Sequence, residues 1–347
     1  MCFIQNSKCD VRGRGRGWKA KSRKISGGFQ SAASFCACVL IFFSLFGCEA
    51  KLMLDGVNKE LAKSGVRTDQ YQKMVSNQGA IIIAGSQGLV LASDNQGASW
   101  QRHIVDGRPN FIGLTACPDK SLVAMSFDRR FWKSADNGRT WTSTPITTKQ
   151  DVMDIHCAPD GSYWVTGSRS TILHSTDAGV TWQESDLGED AMLTYIKFFD
   201  ENTGILAGEF GMCYKTTDGG NSWQSVGVIG EELYPLAVYF ADESTGWAGG
   251  LGGVIVKTTD GGVTWSRQEV EIPAPVYSFF GDGKNLYALA DGNSVLAFTN
   301  EKWRRLKTPA APVFLSGGVV LDNRQLLVAG GFGMLMTLPA ENAASTH

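Results

Sequence analysis

The sequence predicts an all-β fold: a seven-bladed β-propeller of four-stranded antiparallel blades, preceded by an N-terminal export signal. Three observations predict it. An eight-residue motif returns every 41 or 42 residues, short apolar runs bounded by glycine turns surround each copy, and the composition is turn-rich. With 41 Gly, 10 Trp and only 19% charged residues, the chain is built for tight turns and large apolar wedges, not for a helical bundle.

The first element in chain order is a processing segment. Residues 1–24 carry Lys8, Arg12, Arg14, Arg16, Lys19, Lys21, Arg23 and Lys24 against one acid, Asp10. An apolar run from Ala32 to Phe46 follows. A basic region ahead of roughly 7–15 apolar residues is a secretory signal, whereas a spanning helix needs about 20. The run ends in Leu45-Phe46-Gly47-Cys48, which resembles the bacterial lipobox. The resemblance implies cleavage before Cys48 and lipidation of that cysteine, and so a lipid anchor holding the rest on the periplasmic side of an envelope membrane. An uncleaved anchor helix is the alternative, and it places the remainder on the same side. The domain organisation expected is therefore 1–47 signal peptide with its lipobox at 45–48, 48–67 tether and ring-closing strand, 68–338 propeller and 339–347 tail.

Removing residues 1–47 takes away eight of the 32 basic residues and one of the 34 acidic ones. The mature part keeps 24 basic and 33 acidic residues, a net charge of −9. Nucleic-acid binding, which needs a basic footprint, is excluded as a general role. Beyond Cys48 only Cys117, Cys157 and Cys213 remain. Cys117 and Cys157 hold matching places in neighbouring repeats, which leaves a bridge open, while the odd count without a CxxC pair favours buried free thiols.

The repeats themselves are SDNQGASW (93–100), SADNGRTW (134–141), STDAGVTW (175–182), TTDGGNSW (216–223) and TTDGGVTW (258–265). All five are read as Ser/Thr-x-Asp-x-Gly-x-Ser/Thr-Trp. This assigns the acid to Asp94, Asp136, Asp177, Asp218 and Asp260, and the indole to Trp100, Trp141, Trp182, Trp223 and Trp265. The motif falls on the turn between a blade's third and fourth strands. A short Asp side chain can accept hydrogen bonds from its own turn, Gly supplies a positive φ, and Trp buries apolar area between sheets. Repetition once per blade spreads these acids around a rim, so they are structural and not a converging catalytic set. Two further units lack the motif: 287–303 keeps a turn and Trp303, and 326–338 repeats the Ala-Gly-x-x-Gly turn and ends before a fourth strand. That makes seven blades, the last one completed by a strand from within 51–70.

Boxes of this type occur in sialidases, in two-domain xyloglucan hydrolases, and in photosystem II stability/assembly factors with their non-photosynthetic relatives. The fuller unit LYPLAVYFADESTGWAGGLGGVIVKTTDGGVTW (233–265) resembles the last family. The resemblance covers about 68–338, strongest in blades four and five. It implies a seven-bladed propeller that acts as a scaffold or assembly factor for a membrane-protein complex, without a cofactor.

The enzyme readings fare worse. No Phe/Tyr-Arg-Ile-Pro segment precedes the first box, as a sialidase would have, and a single propeller cannot form the two-propeller cleft of the xyloglucan hydrolases. His103, His156, His174 and His347 show no metal-ligand spacing. A carbohydrate-binding or glycoside-hydrolase-like propeller remains the alternative, since a propeller mouth can hold two acids about 5–10 Å apart. A partner surface is expected on the loops joining second to third strands, opposite the boxes. There Arg129, Arg130 and Arg169 form a basic corner on adjacent blades, and Phe210, Leu251 and Phe332 put apolar side chains at turn tips. The competing reading pairs the arginines with Asp128 and Glu209 and folds the phenylalanines inward.

Overall fold

In the computed structural model, residues 65–230 and 233–340 are described. The signal segment, Cys48, most of the 48–67 tether and the tail beyond 340 lie outside the described residues. Seven antiparallel sheets follow one another along the chain, six of four strands and the last of three. Blade 1 opens with the innermost strand Tyr71–Asn77, and blade 7 closes with Leu335–Pro339. In every blade the strands pair in chain order, so each is a simple meander.

The core is not one centre but seven wedges. Each apolar cluster joins two neighbouring blades: Ile82 and Val90 of blade 1 pack with Phe111 and Leu122 of blade 2. Leu327 of blade 7 packs with Ile83 and Leu91 of blade 1, which closes the ring. Strands buried on both faces explain the near-continuous apolar runs such as AIIIAG (80–85), where every residue is buried.

The box performs the local task expected of it in blades 2 to 5. In blade 3 the Ser175 hydroxyl donates to Asp177 Oδ1 at 2.9 Å and accepts the Gly179 N–H at 3.0 Å. Asp177 also accepts the Thr181 N–H at 2.9 Å and the Thr181 hydroxyl at 2.5 Å. Gly179 lies at φ +81°, and a Cβ there would sit 2.6 Å from the Phe131 ring of the preceding blade. Glycine is thus required twice, by its backbone and by the neighbour it touches. Trp182 is half-buried against the cluster between blades 2 and 3.

Blade 1 corrects the sequence reading. Asp94 is not the box acid; the residue in that place is Asn95, whose Oδ1 accepts the Ser93 hydroxyl and the Ser99 N–H, both at 2.9 Å. Its Nδ2 donates to Ser99 Oγ at 2.8 Å. The amide reproduces the carboxylate's pattern because one oxygen does the accepting and Ser99 can turn its hydroxyl to receive. Asp94 instead pairs with Arg139 of the next blade's box.

The cysteines give a second correction. Cys117 and Cys157 are bridged, with Cα atoms 5.3 Å apart, and only Cys213 is a free buried thiol. Both bridged residues sit at the ends of innermost strands, Phe111–Ala116 and Val152–Cys157. Innermost strands of adjacent blades converge on the axis, which brings matching positions within disulfide reach.

The ring-closing strand expected within 51–70 falls mainly outside the described residues. The described part, 65–70, behaves as the connector that leads from one blade's outer strand to the next blade's inner one. Gly333 N–H donates to Asp69 O at 2.8 Å, as Gly88 N–H donates to Pro109 O between blades 1 and 2.

Candidate partner-binding face

The loops between second and third strands all lie on the face opposite the box turns, because successive turns of a meander alternate between faces. At six of the seven tips a residue other than glycine adopts left-handed backbone: Gln87, Arg129, Arg169, Phe210, Asn293 and Phe332, with φ between 55° and 58°. Blade 5 has Gly252 there at φ +67°. Asn tolerates that conformation, but a phenylalanine in it costs about 1 kcal/mol. Two phenylalanines are held there with their rings in water. Phe210 is 68% exposed and Phe332 59%, with Leu251 at 59%. The inward-folded reading of these rings is therefore excluded. Phe127 is 70% exposed on the same face and belongs to the set. It directly follows the strand Leu122–Ser126, and the sequence pattern does not distinguish it from a strand residue.

The arginines do not make the basic corner expected of them. Arg129 lies 3.9 Å from Asp151. Arg130 donates to Ser143 Oγ at 2.8 Å and sits over the Trp132 ring, a contact within its own blade. Arg169 lines a pocket of about 210 Å³ together with Glu184, Asp186, Glu189 and Asp190. Four carboxylates around one guanidinium make that corner acidic. Asp128, named as a local partner, accepts the Ser126 hydroxyl, and Glu209 accepts the Met192 N–H and the Tyr234 hydroxyl. The face is thus mainly apolar at its tips.

Toward the axis a second regularity appears. Each innermost strand carries a β-bulge at its second residue, next to this face. The seven bulged residues are Gln72, Ile112, Met153, Thr194, Leu236, Tyr277 and Ser316. A bulge re-aims a side chain and spoils the free edge of the strand for pairing. Gln72, Ile112, Tyr277 and Ser316 line a cavity of about 610 Å³ together with Lys73, Asp291, Pro312 and Phe314. The residues after the bulges are Lys73, Gly113, Asp154, Tyr195, Ala237, Ser278 and Gly317, with a single carboxylate among them. Burial pushes the Asp154 carboxyl up, opposed by the charge of Lys73 and by the backbone N–H of Ile196, 3.1 Å from Oδ2. A two-carboxylate glycosidase arrangement needs a second acid across the bond to be cleaved.

The three described histidines, His103, His156 and His174, lie on different strands. His174 stacks on Trp164 at 3.9 Å, and burial pushes His156 down to about 4. No group of three His, Cys, Asp or Glu side chains that could hold a metal occurs among the described residues.

Residues 132–233 match the family model described as "Photosynthesis system II assembly factor YCF48". That stretch is the outer half of blade 2 with blades 3 and 4. The solved structure of YCF48 from Cyanidioschyzon merolae superposes with a TM-score of 0.65 at 15% identity, covering 80% of this chain and 97% of that one. Over residues 132–233, then, the chain is similar to the photosystem II assembly factors, and over the ring as a whole it shares their fold. A structure titled YCF48 bound to D1 peptide superposes on this propeller at TM-score 0.62 and 12% identity, covering 79% of this chain and 93% of that one. Virginiamycin B lyase from Staphylococcus aureus does so at 0.69 and 14%, covering 79% and 97%. At such identities the likeness is one of fold, to binding protein and enzyme alike. No curated protein sequence matches the chain.

Proposed function

We propose that this propeller is a membrane-tethered extracytoplasmic scaffold that takes a segment of a membrane-protein complex on its second-to-third loop face, without catalysis. The observation that carries the reading is the set of four large apolar side chains exposed at loop tips on one face, two of them in left-handed backbone. A solvated loop has no use for Phe at such a position, whereas aromatic side chains are the residues that dominate binding interfaces. The match to the assembly-factor model and the peptide-bound relative support the same class of role. The tether is the lipid on Cys48, which raises the effective concentration of the disc for membrane partners.

The test is affinity capture from detergent-solubilised host membranes, with mass spectrometry of what is retained. The triple variant Phe210→Ser, Leu251→Ser, Phe332→Ser should lose the membrane complex while melting within a few degrees of the wild type, since exposed side chains contribute little to folding. The triple reversal of Arg129, Arg130 and Arg169 to Glu should weaken capture less, because Asp151 already lies beside Arg129 and four carboxylates share a pocket with Arg169. Equal capture by the wild type and the serine variant would overturn the reading.

A further inference from the structure

We propose that the cavity at the axial mouth is a subsite for an acidic side chain followed by an apolar one in an extended peptide segment of the partner. The inference rests on the peptide-binding reading of this face and deepens it. Three observations lead to it.

The first is an ammonium group with no partner among the described residues. Lys73 lines the cavity wall half-buried and makes no hydrogen bond or ion pair among the described residues. A partly buried cation is normally paired, whereas Asp154, whose carboxyl feels the charge of Lys73, lies beyond ion-pair distance. The second is the opposing wall. Ile112, Tyr277 and Phe314 give it an apolar and aromatic surface, and Tyr277 is 39% exposed with no hydrogen-bond partner among the described residues. The third is continuity with the apolar tips. Loop 331–333 lies against Phe314, so close that a Cβ on Gly331 would sit 2.7 Å from that ring. Phe332 is the next residue, so the tip of blade 7 leads directly to the mouth.

The bulges explain why the mouth has this character while the rest of the axis does not. They turn Gln72, Ile112, Tyr277 and Ser316 toward the opening in place of continuing the strand alternation. The Ser316 hydroxyl donates to Tyr71 O at 2.6 Å, which leaves its lone pairs for a peptide N–H. Asp291, exposed at the rim, offers a second acceptor. A ligand that suits the site puts a carboxylate on Lys73 and an apolar side chain on the Tyr277–Phe314 wall, and its backbone N–H groups meet Ser316 and Asp291. A volume of about 610 Å³ holds two side chains.

The experiment uses the chain from residue 49 onward, purified in low salt, and fluorescence anisotropy of a labelled peptide Gly-Ser-Asp-Phe-Ser-Gly with amidated C-terminus. The expected result is saturable binding that weakens at least fivefold with Lys73→Gln and more with Lys73→Glu. It should also weaken at least fivefold when the peptide's Asp is replaced by Asn or its Phe by Ser. Tyr277→Ala, a change at an exposed side chain, provides a second reading should Lys73 variants fold poorly. No saturable binding to the wild type at millimolar peptide, or identical affinity in Lys73→Glu, overturns the proposal. Displacement of the peptide by N-acetylphenylalanine at lower concentration than by unlabelled peptide also overturns it, assigning the site to a small carboxylate. The membrane-capture assay separates this subsite from the face as a whole. Loss of capture in the loop-tip variant with full capture by Lys73→Gln leaves the face standing and removes the subsite.

Discussion

Blades 3 and 6 solve the same problem in different ways. In blade 3 an eight-residue box joins the third strand to the fourth, with Asp177 gathering its own turn and Trp182 half-buried against the preceding blade. In blade 6 the connection shrinks to Asn300 and Glu301, both in left-handed backbone, the geometry of a two-residue hairpin that follows the strand twist. Trp303, the second residue of the four-residue outer strand, is fully buried between Phe298 and Phe279. The box is therefore not what makes a blade. What every blade shares is an apolar wedge against its neighbour, and the box is one way to end a hairpin while touching that wedge.

The sharpest way to break this comparison is at the two tryptophans. Trp303→Ala should cost about 4 kcal/mol, as removal of a fully buried aromatic does. Trp182→Ala, at a half-buried site, should cost about 2 kcal/mol. Urea unfolding with unchanged slope would measure both, and a larger loss at Trp182 would show that the box indole, not the wedge, carries the ring.

The box glycine comes next. Gly179→Ala forces an L-residue to φ +81° and drives a methyl into Phe131. Strain and overpacking together should cost about 3 kcal/mol. The matched change in blade 6, Asn300→Gly, puts glycine where φ is already +52° and should be neutral within about 0.5 kcal/mol. Equal effects at the two sites would mean that the box turn can relax away from the neighbouring blade.

How much of this was open to reading in the sequence follows from the same contrast. Regular boxes give the blade count because a motif confined to one turn type repeats at the length of the blade. The faces of the loops follow from meander topology alone. The sequence pattern favours Asp94 over Asn95 because an acid is the usual residue there, whereas the chemistry of the position requires an acceptor, not a charge. The basic corner failed for a different reason. Glu184 and Asp186 share a pocket with Arg169, and Asp151 lies 3.9 Å from Arg129, a proximity that only the folded sheets create. The bulges and the axial mouth escaped entirely, since an extra residue in an inner strand leaves no compositional mark.

The smallest expected effect concerns charge in the box. The Thr181 hydroxyl and N–H hold the Asp177 carboxyl down at about 2, and Ser222 and Thr264 do the same for Asp218 and Asp260. A carboxyl whose folded pKa lies below its unfolded value of about 3.9 stabilises the fold above that value. The contribution disappears as pH falls from about 4 toward 2. Blade 6, whose 3–4 turn contains no box acid, has no such dependence at that place. Asp177→Asn imitates the amide that blade 1 already uses, so it should fold normally at pH 7 and flatten the fall in melting temperature between pH 4 and 2. If the variant's acid transition instead tracks the wild type point for point, the three box carboxylates are not the groups that acid attacks first. The pairs Lys257–Glu301 and Lys215–Glu243 then become the next place to look, because each ties one blade to its neighbour.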